Sequence, residues 1–304
     1  MNLSNLIFTE QKQFNESKHV SIKNKPIEGN VVISQLLQSE QPFSVVRCGI
    51  GAETIFSYCL LEGINDYEER YKDILQKLHN NAGIYFDEKR DDTDKILYSN
   101  LFNLALETST YLANWNNSWI TPFESKFIKT YKLRTFDASG LDFFAHSVPW
   151  TKFLQGKRVL IIHPFTKSIS SQYKKRKLLF LNQDTLPAFE LMVLKSPNTC
   201  AGNKLGDSWV DNYAELCSEI DKMDFDVALL GCGGYGLPLV NYIRNYKNKS
   251  AIYMGGILQL LFGIKGKRWD DRPEVRILYN EHWTRPDEKE RVDGYLNVEE
   301  GCYW

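Results

Sequence analysis

Net charge is almost missing from this chain: 37 lysines and arginines face 38 aspartates and glutamates over 304 residues, leaving a formal −1. So weak a whole-molecule field argues against a protein that gathers bulk nucleic acid by long-range attraction, although local basic patches remain. Also absent is any apolar run near the roughly 20 residues that span a bilayer. The N-terminal MNLSNLIFTEQKQ has no basic flank leading into a sustained apolar core. The expectation is a cytoplasmic chain with no transmembrane segment and no secretory signal, reaching the inner face of a membrane through partners if at all. Six cysteines (Cys48, Cys59, Cys200, Cys217, Cys232, Cys302) are scattered without a CxxC pair. That pattern argues against a disulfide framework or a zinc site and suits buried thiols in a reducing compartment. No internal repeat, low-complexity tract or linker interrupts the chain.

What is present is apolar substance: 43% hydrophobic residues allow a sizeable core, and 13% aromatics suit core packing as well as stacking on sugars or bases. Residues 1–30 are polar and irregular, and form an expected N-terminal arm. Residues 31–304 are expected to form one compound α/β domain, helix-rich over 31–155, regular over 156–270, with a tail at 271–304 packed back on the body. In the first part, residues 43–47 predict a strand and 52–61 a helix. Helical spacing is also read over 66–78, 94–115 and 141–153, with a candidate strand at 83–86, so this half holds one clear strand. In the second part, strands are predicted at 158–162, 189–195, 225–230 and 250–254. Helices are predicted at 168–181, capped by Ser168, at 209–223 and at 237–246. Strands alternating with helices mean a mainly parallel, Rossmann-like sheet with helices on both faces.

Ligands of such sheets bind beyond the C-terminal ends of the strands, and three of those ends carry unusual residues. Gly231-Cys-Gly233-Gly234-Tyr235-Gly236 lies between a strand and a helix, close to the dinucleotide fingerprint GxGxxG. The next strand end reads Tyr-Met-Gly255-Gly256, however, without the acid that would hold the ribose of NAD. A phosphate cradle and simple close packing of helix on strand both remain open. At the first strand end, Arg47 with Gly49, Gly51 and Glu53 offers a rigid fork of donors and a carboxylate for a metal, a sugar hydroxyl or base chemistry. The same Glu also suits a helix N-terminus. His163, before a proline, can act as a base, donate to phosphate or serve as a turn residue. Gln172 and Arg176 share a helix face, and Gln259 follows the second glycine pair. Lys265, Lys267 and Arg268 form a basic tract that suits either a diphosphate or solvent.

These segments resemble bacterial glycosyltransferases of the GT-D fold and the surface-polysaccharide proteins related to them. The likeness rests on VVRCGIGAE, VLIIHPF and above all FDVALLGCGGYGLPL followed by AIYMGGILQLLFGIKGKRW, over roughly residues 31–270. It implies transfer of a sugar from a nucleotide-diphosphate donor, a UDP-sugar in that family, to a surface glycan or lipid-linked precursor. Arg47, Gly49 and Glu53 fall on the family's Arg, Gly and Glu. The Asp that completes its metal site has no counterpart, since Ile50-Gly51-Ala52 stands there, so Glu53 is the one candidate ligand for a divalent cation (Mn or Mg). In place of that metal site, the helix start after Gly236 and the cations Lys265, Lys267 and Arg268 are the expected diphosphate partners. The alternative expectation is a non-catalytic protein that binds a nucleotide or sugar phosphate within a polysaccharide assembly system.

Overall fold

Among the described residues, seven short segments become strands, the central ones aliphatic. They are β1 (Ser44–Val46), β2 (Tyr111–Asn114), β3 (Thr135–Asp137), β4 (Arg158–His163), β5 (Glu190–Lys195), β6 (Val227–Leu230) and β7 (Ser250–Tyr253). The computed structural model describes residues 26–39, 41–49, 51–115 and 121–304. All strand pairings are parallel, in the order β3-β2-β1-β7-β6-β4-β5. Central strands such as VALL and SAIY are buried at every position, as a parallel sheet covered on both faces requires.

Helices of eight or more residues are α1 (Pro26–Gln38), α2 (Ala52–Leu61), α3 (Asp91–Glu107), α4 (Thr121–Tyr131), α5 (Thr166–Tyr173), α6 (Trp209–Asp221) and α7 (Gly236–Asn245). One core layer joins Val46, Leu160, Ile162, Leu230 and Tyr253 to α2, α3, α4, α6 and α7. The other joins Val45, Ile161, Leu229 and Ile252 to α1, α5 and the segment Leu258–Leu261. Neighbouring residues along each strand thus feed opposite layers, each full burial contributing roughly 1.5–3 kcal/mol.

The two layers fix where a ligand fits. The chain leaves β1 towards the first layer, β7 towards the second, β6 towards the first and β4 towards the second. Adjacent connections therefore diverge along the line β1-β7-β6-β4, opening a crevice above the carboxyl ends of these four strands.

Several expectations need correction. Residues 94–115 are not one helix: α3 stops at Glu107, where the Thr108 and Ser109 hydroxyls bond back to the carbonyls of Leu104 and Leu106. Strand β2 follows, and with β3 the described residues of the N-terminal half hold three strands. Residues 83–86 form no strand: Ile84 joins the first core layer, while Tyr85 is buried and its hydroxyl accepts from Leu205 N at 2.9 Å. Asp73, at φ 61°, breaks the 66–78 helix into two short turns. Residues 141–153 form 3-10 turns around Pro149. The 168–181 helix divides into α5 and Arg176–Leu179, and Ser168 lies inside α5. Capping falls to Glu290, which accepts from Lys167 N at 2.7 Å and Ser168 N at 3.2 Å. The expected arm lies outside the described residues up to position 25, and Pro26 already opens α1. No helix among the described residues is long and apolar enough to cross a membrane.

Candidate functional site

A cavity of about 110 Å³ occupies the crevice, walled by residues that follow β1, β4, β6 and β7. Arg47, Gly49, Glu53, His163, Gly231, Gly233, Gly255, Gly256, Gln259 and Arg268 all line it. Positions far apart in sequence thus converge because their strands end side by side.

Arg47 leaves β1 and donates through Nη1 to Met254 O at 3.0 Å. Its guanidinium lies 4.4 Å from the centre of the Trp115 ring. Gly255, at φ 61°, lets the chain turn beneath it, since a Cβ there would stand 3.0 Å from Arg47 Cζ. Burial lowers the Arg47 pKa from its ordinary value, with Tyr253, Tyr303 and Glu53 pulling the other way.

Glu53 sits in the first turn of α2, and Gly49 makes room for its carboxyl: a Cβ on Gly49 would fall 1.9 Å from Glu53 Oε2. Burial pushes its pKa up to about 7, against the opposing pull of Arg47. A carboxyl poised there exchanges protons at neutral pH. Behind it, Glu124 accepts from Trp115 N at 2.9 and 3.2 Å, and burial raises its pKa to about 8.

The two raised carboxyls carry a stability consequence. The unfolded chain releases their protons near pH 4.5, the folded one only near 7 and 8, so their contribution is whole below about 4.5 and is lost as pH rises towards 8. Melting temperature is therefore expected to fall over that window. Glu53→Gln should flatten the portion below pH 7; an unchanged slope would refute the assignment.

His163 is buried and accepts from Phe165 N through Nδ1 at 2.9 Å, which places its proton on Nε2. Burial lowers its pKa to about 3. At neutral pH it is a fixed N–H donor rather than a proton acceptor.

The remaining wall comes from the C-terminal segment. Arg268 N donates to Cys302 O at 3.1 Å, Lys267 N to Trp304 O at 3.2 Å and Gln259 Nε2 to Tyr303 O at 3.1 Å. This brings Glu299, Tyr303 and Trp304 against the crevice. The Arg268 guanidinium pairs with Glu299 and stacks 4.7 Å from the Tyr303 ring centre. Among the described residues, Arg47 Nε, Asn198 Nδ2, Gln259 Oε1 and Trp304 Nε1 are buried without a hydrogen-bond partner, and all four residues line this crevice. Each such group costs about 1–3 kcal/mol, and a polar ligand that pairs them recovers it.

Other candidates lie elsewhere. Tyr235 is buried against Trp209, ring centres 5.2 Å apart. Gly234 packs on Ile84 and Gly236 on the Tyr253 ring, so two of the four loop glycines serve helix packing and the start of α7 does not face the cavity. Lys265 lies 5.0 Å from the Tyr279 ring and Lys267 pairs with Glu300 at 2.9 Å; neither lines the crevice. Gln172 ties Gly263 O and His282 O, and Arg176 stacks on Tyr173. Gly51 caps α2 at φ 100°, beside Ile50, which lies outside the described residues.

Sequence reading missed Asn81, Asn198, Tyr253, Glu299, Tyr303 and Trp304 as wall residues, and only the paired terminal aromatics gave a signal. Among the described residues, no group of three or more His, Cys, Asp or Glu is placed to hold a metal ion. In comparisons with protein-family models, characterised proteins and solved structures, nothing matches this chain.

Proposed function

We propose that this protein is a glycosyltransferase that moves a sugar from a nucleoside-diphosphate donor to a glycan or lipid-linked acceptor. The observation that carries this reading is the placement of two largely buried arginines and a carboxyl of pKa about 7 in one crevice. The acceptor hydroxyl attacks the anomeric carbon and a new C–O bond forms. The bond from that carbon to the diphosphate oxygen breaks, and its electron pair leaves with the nucleoside diphosphate. The hydroxyl proton passes to Glu53. Arg47 and Arg268 neutralise the charge that grows on the leaving group, and His163 Nε2–H supplies a fixed donor.

The test is a panel of UDP-, GDP-, ADP- and TDP-sugars, read by melting temperature and by release of nucleoside diphosphate. The cognate donor at a hundred times its Kd should stabilise the fold by about 2.7 kcal/mol. It should also be hydrolysed slowly, and faster once an acceptor is added. Stabilisation without turnover would favour the binding-protein reading. No response to any donor would sink both.

A further inference from the structure

A second cavity, of about 320 Å³, continues the crevice over the ends of β1, β2 and β3. Trp115, Asp137, Asp142, Trp269 and Arg272 help to line it, while Arg47, Gly256 and Arg268 line both cavities. The two arginines therefore stand at a shared wall. A ligand that uses both cavities needs an anionic middle and two less charged ends, and a nucleoside diphosphate sugar has that form.

We propose that the second cavity is the nucleoside pocket of the donor, with ribose hydroxyls donating to Asp142 and Asp137 and the base against the indoles of Trp115 and Trp269. This rests on the donor reading above only for the diphosphate at Arg47 and Arg268. Its size lies within the roughly 300–1,000 Å³ of small-molecule sites. The smaller cavity, which holds Glu53, takes the glycosyl end, where proton transfer is needed.

The polar groups of the second cavity suit hydroxyls rather than phosphates. An ionised carboxylate only accepts hydrogen bonds and repels anions. Asp137 is already held in place: it accepts from Ser139 N at 2.9 Å and from the Ser139 hydroxyl. Asp142 is half-buried, yet among the described residues its side chain has no hydrogen-bond or ion-pair partner. Arg272, whose field acts on Asp142, is itself engaged by Glu274 at 2.7 Å. An acid at this place, beyond the end of a parallel strand, can hold vicinal ribose hydroxyls. Trp115 is fixed for its task by Trp115 Nε1 donating to Cys48 O at 2.9 Å and by Glu124.

Calorimetric titration of the full chain tests this with UDP, GDP, inorganic pyrophosphate and the 2′,3′-dideoxy form of the tighter nucleotide. Asp142→Ala should weaken that nucleotide about tenfold to a hundredfold, with Asp142→Asn intermediate, while pyrophosphate affinity stays within about twofold. The dideoxy nucleotide should bind wild type weakly and lose nothing more in Asp142→Ala. Equal weakening of pyrophosphate, or unchanged nucleotide affinity, would overturn the pocket. Saturation by free hexoses instead of nucleotides would overturn it too. Asp142-dependent nucleotide binding without sugar transfer would leave the pocket standing and sink the transferase. Transfer with an indifferent Asp142 would do the reverse.

Discussion

Glu53→Gln is expected to cut sugar transfer by about 10²–10⁴-fold while nucleoside diphosphate affinity changes by less than about threefold. Glutamine keeps the shape that Gly49 accommodates but cannot take a proton, so the loss belongs in kcat. The wild-type rate should rise with pH through about 7, because the carboxylate is the active form of a base and burial delays its appearance until then. In the variant that limb should vanish. Measuring transfer against pH for both proteins, with donor binding as the folding control, decides the matter. Full activity in Glu53→Gln would remove this residue from the chemistry.

Arg47→Ala should weaken nucleoside diphosphate binding by about 10²-fold or more, the usual cost of truncating a buried charged partner. The neighbours of Arg47 define why replacement by lysine should not restore it. One guanidinium nitrogen reaches Met254 O, and the plane lies against Trp115 above the Gly255 turn. A lysine ammonium offers neither the fork nor the flat face. Calorimetry of Arg47→Lys and Arg268→Lys beside the alanine variant separates lost recognition from lost folding. Affinity retained in Arg47→Lys would show that charge alone matters there.

The chain was most legible where strands are continuous apolar runs bounded by turns. VALL, SAIY and RVLIIH are buried along nearly their whole length, and their glycine- or proline-bearing exits mark the strand ends. YLAN and TFD were hidden because three or four residues, some polar, give too little periodicity to outweigh a preceding helix. The site divides in the same way. Arg47, Glu53, His163, Gly231 and Gly255 could be placed because each follows a readable strand. Tyr303 and Trp304 reach the crevice only through the return of the tail, a tertiary event whose one local sign is the pair of aromatics at its end. Within the basic tract, the Lys267–Asp270 turn carries Arg268 inward and leaves Lys267 on the surface with Glu300. Spacing alone does not separate those two cations.

The sheet order has a consequence for the order in which this protein folds. Strand β1 pairs with β2 on one edge, but its other neighbour is β7, with Ser44 opposite Ala251. As synthesis proceeds from the N-terminus, β1 to β3 emerge with one edge of β1 unpaired until almost the whole sheet has been made. Closing so long a loop is slow, and an open strand edge invites pairing with other chains. Synthesis stopped before residue 250 would leave that edge open for good, together with one side of the crevice. The strand that leads into Arg47 is therefore among the first made and the last to be enclosed.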